Sequence, residues 1–369
     1  MSQVYLINSS ISKFGKLNIS NLDLSYKTAG ECLNGFDRSK IDLLIFTSFA
    51  PESYTKEYHL AAKLADKLNL NKDVFAIRTD TASSSGASAF HTACYLLESG
   101  KFKNALIVGT EIMSSLDRGT NNILLGSVLS DTQRNLAMSM AQGAAMITNL
   151  YLKKFNYSRE DLFFISEKLH SIGKNNPKAH IQKSITKEDY FNSPIFSSPL
   201  CLYDISPLSD GSASILLSSE IKSNLKIIGK GSGLSTFKSL ELTTFFSSSR
   251  IAAKKAFSEA DLKPDKIEIA EIHDAFTPFE IIGLEDTGII QEGLALKYIK
   301  EGKTHPNSDL PVNASGGLKT RGHPIGASGL AQIVEINKLM KNKNKKYGLT
   351  LSIGGLATNN FVTILENSD

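Results

Sequence analysis

A run of small residues that bear hydroxyl groups, DTASSSGASA at 80–89, follows an apolar stretch and precedes a helical pattern. Such a turn from strand to helix exposes a side chain at the helix N-terminus. Free backbone N–H groups and the helix dipole stabilise negative charge there. A nucleophile placed in this turn is therefore favoured, and the alternative is a plain serine-rich helix cap.

Two histidines occupy positions that suit a general base. His323 lies between a glycine and a proline in RGHPIGASG (321–329), so its backbone is fixed and its side chain is uncrowded. His273 lies in EIHDAF (271–276), at the end of an apolar run, and sites in α/β sheets form at strand ends. The alternatives are a structural histidine and a His-Asp pair that caps a loop.

Paired glycines end the apolar run LSIGGL at 351–356. Glycine lets a backbone approach a ligand closely, so N–H groups could bind a ligand here, or the pair could form a tight turn. None of these segments is specific for a reaction when it is taken alone.

The patterns that must position these segments alternate between strand and helix. Near-continuous apolar runs are typical of strands that are buried on both faces. Strands are predicted at 3–8, 41–49, 74–78, 105–111, 226–229 and 267–272, with a hairpin of 347–353 and 360–365. Helices are predicted at 61–68, 85–99, 138–152, 247–260 and 329–341. This alternation predicts an α/β fold.

The series of strand, small-residue turn, helix and strand occurs twice, which indicates two similar halves. Residues 115–205 are rich in Ser, Asn and Lys and interrupt the pattern, as an insertion over the α/β core would. We therefore predict a first half at 1–220, which includes this insertion, and a second half at 221–369.

The 369-residue chain has an ordinary globular composition, with 41% hydrophobic and 21% charged residues, which excludes a disordered chain. A formal net charge of +4 excludes a chain-wide nucleic-acid footprint. Neither a signal peptide nor an apolar window of about 18 residues occurs, so no membrane segment is expected. Cys32, Cys94 and Cys201 fit no disulfide framework and no metal site, so a cytoplasmic protein without a metal is expected.

Three motifs occur together. They are SPLSDGSAS at 206–214, HDAF at 273–276, and GG followed by GHPIGASG within 316–329. On these motifs the chain resembles the thiolase superfamily, and within it the branch of sterol-carrier-protein thiolases and archaeal acetyl-CoA acetyltransferases. The resemblance covers nearly the whole chain, and the last motif is very specific.

The resemblance implies a five-layered αβαβα thiolase fold, with two pseudo-duplicated halves and an inserted loop domain, that assembles as a homodimer. It implies an acyl-CoA or acyl-carrier thioester as substrate and no other cofactor. The pantetheine arm is expected near Ser315 and Gly316, and the nucleotide end near the loop-region lysines Lys168, Lys174 and Lys178. A heteromeric complex with an acyl-CoA-binding partner is also implied.

The chain departs from the family at its cysteines. Ser83 stands where the resemblance implies a nucleophilic cysteine, and Ser352 stands at the place of a second, proton-transferring cysteine. A thiol with a pKa of about 8.5 is partly ionised near neutrality, whereas a serine hydroxyl needs a base during attack. His323 is expected to be that base. The N–H groups of Ser83 and Gly355 would form one oxyanion hole, and His273 with water a second.

We favour an acyltransferase of lipid or secondary metabolism that uses Ser83 and His323, because both motif histidines are present. No orienting third residue is evident from the sequence. The alternative is a catalytically impaired subunit that binds acyl-CoA or scaffolds a partner enzyme. A serine hydrolase is a third class, but the Gly-x-Ser-x-Gly elbow that would support it is absent around Ser83.

Overall fold

The computed structural model describes residues 2–236 and 242–368. Its strands are β1 (Tyr5–Ile11), β2 (Leu43–Thr47), β3 (Phe75–Thr79), β4 (Asn104–Ile112), β5 (Ile195–Ser197), β6 (Leu200–Cys201), β7 (Asp210–Ser218), β8 (Leu225–Leu234), β9 (Ile269–Ile272), β10 (Tyr347–Gly354) and β11 (Asn359–Asn367). Its helices are α1 (Asn21–Cys32), α2 (Pro51–Tyr54), α3 (Leu60–Lys67), α4 (Ser85–Glu98), α5 (Arg118–Gly126), α6 (Asp131–Asn135), α7 (Met140–Phe155), α8 (Arg159–Gly173), α9 (Lys187–Phe191), α10 (Ser247–Ala260), α11 (Pro278–Asp286), α12 (Ala295–Lys300), α13 (Gly317–Arg321) and α14 (Ile325–Lys343). None of the helices in these ranges combines the length and the apolar composition that crossing a bilayer requires.

Most predicted elements form close to their expected bounds, and α10 matches its prediction at both ends. The two largest differences concern the start of α14 and the end of β8. α14 begins at Ile325 rather than at 329, because Pro324 already has the fixed φ, −68°, that suits a helix start. β8 continues to Leu234 rather than ending at 229, because its alternating glycines let α10 lie directly against the strand.

The strands form two half-sheets of similar topology. The first has the order β3-β2-β4-β7-β1 and the second the order β8-β11-β10-β9. In the first, β2 is parallel to β3 and β4, whereas β7 is antiparallel to β4 and β1. In the second, β9 is parallel to β10, whereas β11 is antiparallel to β10 and β8. One pairing, Tyr5 with Lys226, joins β1 to β8 and makes a continuous nine-stranded sheet.

Helices pack in three layers around the half-sheets. α4 and α14 lie between them, and α14 packs on β4 and β7 of the first half-sheet and on β9 and β10 of the second. α1 and α3 cover the outer face of the first half-sheet, and α10 and α11 cover that of the second. This is the five-layered αβαβα arrangement that the family resemblance implied.

The two central helices, α4 and α14, approach each other at glycines. A Cβ atom on Gly86 would lie 2.6 Å from the Leu330 backbone nitrogen, and one on Gly329 would lie 2.5 Å from the Ala87 nitrogen. Real Cβ atoms do not come so close, so only glycine permits this contact. Since both glycines lie early in their helices, the contact brings the turns before α4 and α14 side by side.

Residues 113–205 form a cap that includes α5 to α9 and the small β5–β6 sheet. A fully buried ion pair between Lys168 of α8 and Glu280 of α11 anchors this cap to the second half. Lys168 also donates to the Val312 carbonyl at 3.2 Å. The prediction that Lys168 contacts a nucleotide was therefore wrong, because its ammonium group is enclosed and neutralised by Glu280.

Candidate active site

One cavity, of about 680 Å³, collects residues from both halves and from the cap. Ser83 comes from the turn before α4, His273 from the end of β9, His323 from the turn before α14, and Gly355 from the end of β10. The structure therefore brings these four predicted residues to one cavity. Much of the remaining wall is apolar and includes Met113, Leu125, Met140, Ile181, Ile185, Phe196, Leu202, Ile205, Leu208, Phe276, Phe279, Ile325 and Ile353.

Ser83 lies in the elbow between β3 and α4. The preceding residue, Ala82, has a φ of 54°, which turns the chain sharply. The hydroxyls around it are hydrogen-bonded to one another, since Thr81 Oγ1 lies 3.0 Å from both Ser84 Oγ and Ser88 Oγ. The Ser83 hydroxyl makes no such bond within the described residues and is partly exposed at the cavity wall. It is therefore the hydroxyl of this elbow that a ligand can reach.

His323 is a buried base whose orientation is held by Ser328. Its Nδ1 lies 2.7 Å from Ser328 Oγ, and that hydroxyl donates to the Pro324 carbonyl at 2.9 Å. Because the Ser328 hydroxyl donates to Pro324, it accepts from His323, so we assign the proton of the ring to Nδ1 and the lone pair to Nε2. Burial, and then the charge of Arg321, lower the pKa of His323 to about 3, so the ring is neutral at pH 7. Ser328 is the orienting group that sequence reasoning missed.

His273 lies beside His323, with ring centroids 5.1 Å apart and ring planes at 90°. Its backbone N–H donates to the Leu351 carbonyl at 3.0 Å, which ties the end of β9 to β10. Burial, and then the neighbouring His323 and Arg321, hold its pKa well below the ordinary value. Its Nδ1 has no hydrogen-bond partner among the described residues. The cavity thus contains a second neutral imidazole that can donate one hydrogen bond to a ligand.

Gly355 follows β10 with a φ of 61°, which glycine adopts without strain. That its N–H and that of Ser83 form an oxyanion hole stays a prediction. Ser315 and Gly316 are not among the residues that line the cavity. The Ser315 hydroxyl instead donates to Glu271 Oε2 at 2.9 Å. A role of Ser315 and Gly316 in binding pantetheine also stays a prediction.

Glu111, at the end of β4, holds the start of α14 in place. Its buried carboxyl group accepts hydrogen bonds from the Gly326 N–H at 3.0 Å, the Phe49 N–H at 2.6 Å and the Ser48 hydroxyl at 2.7 Å. Burial raises its pKa to about 7. Sequence reasoning missed this residue, whose signal is a glutamate within an otherwise apolar strand. Glu111 therefore joins β4 and the end of β2 to the helix turn that follows His323.

Asp274 has a different function from the adjacent His273. Its carboxyl group accepts from the backbone N–H of Leu318 at 2.6 Å and from that of Lys319 at 3.2 Å, at the start of α13. Burial raises its pKa to about 7. The HDAF motif thus supplies both an imidazole in the cavity and a carboxyl group that anchors the next segment.

No thiol lines the cavity in the part of the chain that the structure describes. Cys32, Cys94 and Cys201 are free and buried, and burial raises the pKa of each. Ser352 is also buried, its hydroxyl has no partner among the described residues, and it does not line the cavity. Within residues 2–236 and 242–368, no three His, Cys, Asp or Glu side chains cluster as metal ligands would. The described cavity wall therefore offers hydroxyls, but no thiol, for the role that the resemblance assigns to a cysteine.

Comparison with protein families identifies the class of this protein. The N-terminal domain of thiolase matches residues 4–221, and the family described as thiolase C-terminal domain-like matches residues 229–367. The first match alone covers more than half of the chain. The chain therefore belongs to the thiolase family.

Curated relatives agree with this assignment. Acetyl-CoA acetyltransferase of Methanothermobacter thermautotrophicus is 28% identical and the match covers 96% of this chain and 97% of the relative. Benzoylsuccinyl-CoA thiolase subunit BbsB of Thauera aromatica is 29% identical over 73% of this chain and 72% of the relative. Sterol carrier protein 2 of Bos taurus is 32% identical over 50% of this chain and 37% of the relative. The prediction of a thiolase-like acyltransferase is confirmed at the level of the family.

Solved structures show the same fold. The Ltp2-ChsH2(DUF35) aldolase matches with a TM-score of 0.82 and 20% identity, over 100% of this chain and 98% of that chain. Human mitochondrial 3-ketoacyl-CoA thiolase matches with a TM-score of 0.77 and 16% identity, over 100% and 99%. At such identities the likeness concerns the fold alone, and the predicted thiolase fold is confirmed.

Proposed function

We propose that this chain transfers an acyl group from an acyl-CoA thioester by way of an ester on Ser83, with His323 as the base. One observation carries the proposal: Ser83, His273 and His323 line the same cavity, and the hydroxyl of Ser83 has no hydrogen-bond partner among the described residues. A neutral ring with its lone pair on Nε2 is the form of histidine that accepts a proton. Relatives named acetyl-CoA acetyltransferase and benzoylsuccinyl-CoA thiolase support a CoA thioester as substrate.

In the proposed step, Ser83 Oγ attacks the thioester carbonyl carbon while His323 Nε2 accepts the hydroxyl proton. The carbonyl oxygen becomes an oxyanion, for which His273 and the N–H groups of Ser83 and Gly355 are the candidate donors. The carbon–sulfur bond then breaks, and the proton moves from His323 to the CoA sulfur. The products are an acyl ester on Ser83 and free CoA, and a second substrate would accept the acyl group.

Two cations at the cavity also support a CoA substrate. Arg118 and Lys183 line the cavity and are exposed to solvent, and the Arg118 guanidinium lies 4.3 Å from the centre of the Phe196 ring. The nucleotide end of CoA carries phosphate groups, which arginine and lysine bind well. Arg118 and Lys183 are therefore better candidates for this end than Lys174 and Lys178, which do not line the cavity.

The experiment that tests this function is intact-mass spectrometry after incubation with a series of acyl-CoAs. We expect an adduct of the acyl mass on the unchanged protein and none on Ser83→Ala. Ser206→Ala is the matched control, because Ser206 also lines the cavity, and it should retain the adduct. If the unchanged protein forms no adduct with any thioester under saturating conditions, the serine ester is rejected.

A subunit that binds acyl-CoA without covalent chemistry is the second candidate. Serine in place of a thiol favours it, because a hydroxyl is not ionised near neutrality. The names Ltp2-ChsH2(DUF35) aldolase and subunit BbsB describe proteins that consist of more than one kind of chain. This function predicts equal thioester binding by the unchanged protein and Ser83→Ala, without an adduct. A homodimer and a heteromeric complex are likewise proposals, which light scattering with and without a partner chain would test.

A further inference from the structure

Lys319 is a buried cation in the cavity wall that the proposed acyl transfer does not use. It is only 2% exposed, and its ammonium group donates to two backbone carbonyls, Ile205 O at 2.7 Å and Leu202 O at 3.2 Å. Within the described ranges it makes no ion pair. Burial lowers the pKa of Lys319 to about 8, so the group is still mostly charged at pH 7. The cavity therefore contains a desolvated positive charge whose only hydrogen-bond partners are neutral.

The negative charges of Asp204 and Asp274 act on Lys319 through space, but both carboxyl groups accept their hydrogen bonds from other groups. The Tyr190 hydroxyl donates its one proton to the Asp204 carboxyl group, whose two oxygens lie 2.8 and 2.9 Å away, and the Ser166 hydroxyl donates to the same group at 3.0 Å. Asp274 accepts from the backbone at the start of α13. Neither carboxyl group accepts a hydrogen bond from the Lys319 ammonium group, although Asp274 accepts one from the Lys319 backbone N–H. A buried charge without a hydrogen-bonded counter-ion is destabilising, and an anionic group of a ligand would offset that effect.

His170 supplies a second unsatisfied group beside Lys319. Its Nδ1 donates to the Lys183 carbonyl at 2.8 Å, while its Nε2 has no partner in the described part of the chain. Both side chains contact Tyr203, whose ring centre lies 5.9 Å from Lys319 Nζ and 5.3 Å from the His170 ring centre, and all three line the cavity. A carboxylate in this part of the cavity would accept a hydrogen bond from the Lys319 ammonium group. Burial, and then the charge of Lys319, lower the pKa of His170 to about 4, so its ring is neutral at pH 7.

We propose that Lys319 binds a carboxylate at the far end of the acyl group, so that the substrate is the CoA thioester of a dicarboxylic acid. The cavity has both exposed and buried cations, and this difference separates carboxylate binding by Lys319 from binding of the CoA phosphates. Arg118 and Lys183 are exposed, as suits the hydrated phosphates of CoA, whereas Lys319 is desolvated, as suits an anion that enters with the acyl chain. The inference rests on the proposed function for the thioester, but it does not require acylation of Ser83.

The experiment compares thioesters that differ only in a terminal carboxylate, with binding measured by calorimetry on Ser83→Ala so that no turnover occurs. The pairs are succinyl- and butyryl-CoA, glutaryl- and valeryl-CoA, adipyl- and hexanoyl-CoA, and suberyl- and octanoyl-CoA. We expect one or more lengths at which the carboxylated thioester binds about tenfold tighter or better, because hydrogen bonds to charged groups are the strong ones. When Lys319→Met is combined with Ser83→Ala, the carboxylated thioesters should no longer bind more tightly, and binding of the uncarboxylated series should be unchanged.

Lys254→Met, at an exposed lysine of α10 outside the cavity, is the matched control and should keep the preference. Lys319→Arg retains the positive charge and should keep part of the preference for carboxylated thioesters. The absence of any preference across the four pairs overturns the proposal, and this comparison needs no change at Lys319. Equal weakening of both series by Lys319→Met also overturns it, because Lys319 would then contact the part common to all thioesters. A preference without a Ser83 adduct on the unchanged protein rejects the serine ester and retains this inference.

Discussion

The turns before α4 and before α14 occupy equivalent places in the two halves, but they are built differently. In the turn before α4, the hydroxyls of Thr81, Ser84 and Ser88 bond to one another and leave Ser83 without a partner in the described chain. In the turn before α14, Ser328 holds the imidazole of His323. The second turn therefore presents a base with a fixed orientation, and the first presents a hydroxyl that no neighbouring group polarises.

The difference between the two turns shows where this site is organised before substrate binds. A thiol at a helix N-terminus is activated by its position alone, whereas a hydroxyl is activated only while a base removes its proton. Two fully buried side chains hold His323 in place: Ser328 accepts from its Nδ1, and Glu111 accepts from the Gly326 N–H at the start of the following helix. The proposed chemistry at Ser83 therefore depends on His323.

The largest effect is expected from His323→Asn, which removes the base and retains a polar side chain. The rate at which CoA is released from acyl-CoA in a single turnover should fall by about 10²–10⁴-fold, which is the usual contribution of a general base. His305→Asn is the control, since His305 does not line the cavity, and it should have no effect. A rate within threefold of the unchanged protein for His323→Asn would mean that the two turns do not act together.

Ser83→Cys should have the opposite effect, because it installs a nucleophile that the helix N-terminus activates. We expect acylation to become about tenfold faster or more, since a thiol is partly ionised near neutrality. The measurement is the rate of adduct formation by rapid-quench mass spectrometry. Slower acylation than in the unchanged protein would show that the turn before α4 is shaped for a hydroxyl or for no nucleophile.

Ser328→Ala tests the orientation of the base and should have a smaller effect. Without the hydroxyl, His323 loses its Nδ1 partner, so kcat should fall by about tenfold or less while KM stays unchanged. The melting temperature is measured alongside, because Ser328 is fully buried. A rise in KM with unchanged kcat would assign Ser328 to binding instead.

The pH dependence should show the smallest change. The base form of His323 is lost only as the pH falls through its pKa of about 3, so CoA release should not decline because of this group between about pH 8 and pH 5. An exposed histidine would lose its base form near pH 6.5. A half-maximal rate near pH 6.5, measured in single turnovers, would mean that His323 is solvated in the working enzyme.

The short motifs predicted much of the site. HDAF and GHPIGASG marked His273 and His323, whose rings lie in contact, and the serine-rich run marked the turn that carries Ser83. Ser328 was visible only as one small residue of a motif. Its function depends on the helix beginning at Ile325, which places the Ser328 hydroxyl against the His323 ring, and the predicted helix began too late to show this.

The sequence by itself determined the family, the αβαβα fold and the chemistry-bearing residues, because motifs and the alternation of strands and helices are local features of the chain. Only the tertiary structure decided which of those groups are paired. The ammonium group of Lys168 pairs with Glu280, 112 residues away, whereas the ammonium group of Lys319 donates to two backbone carbonyls and, among the described residues, has no carboxyl partner. Burial and hydrogen-bond partners arise from residues that are distant in the chain, so the spacing of residue types does not encode them.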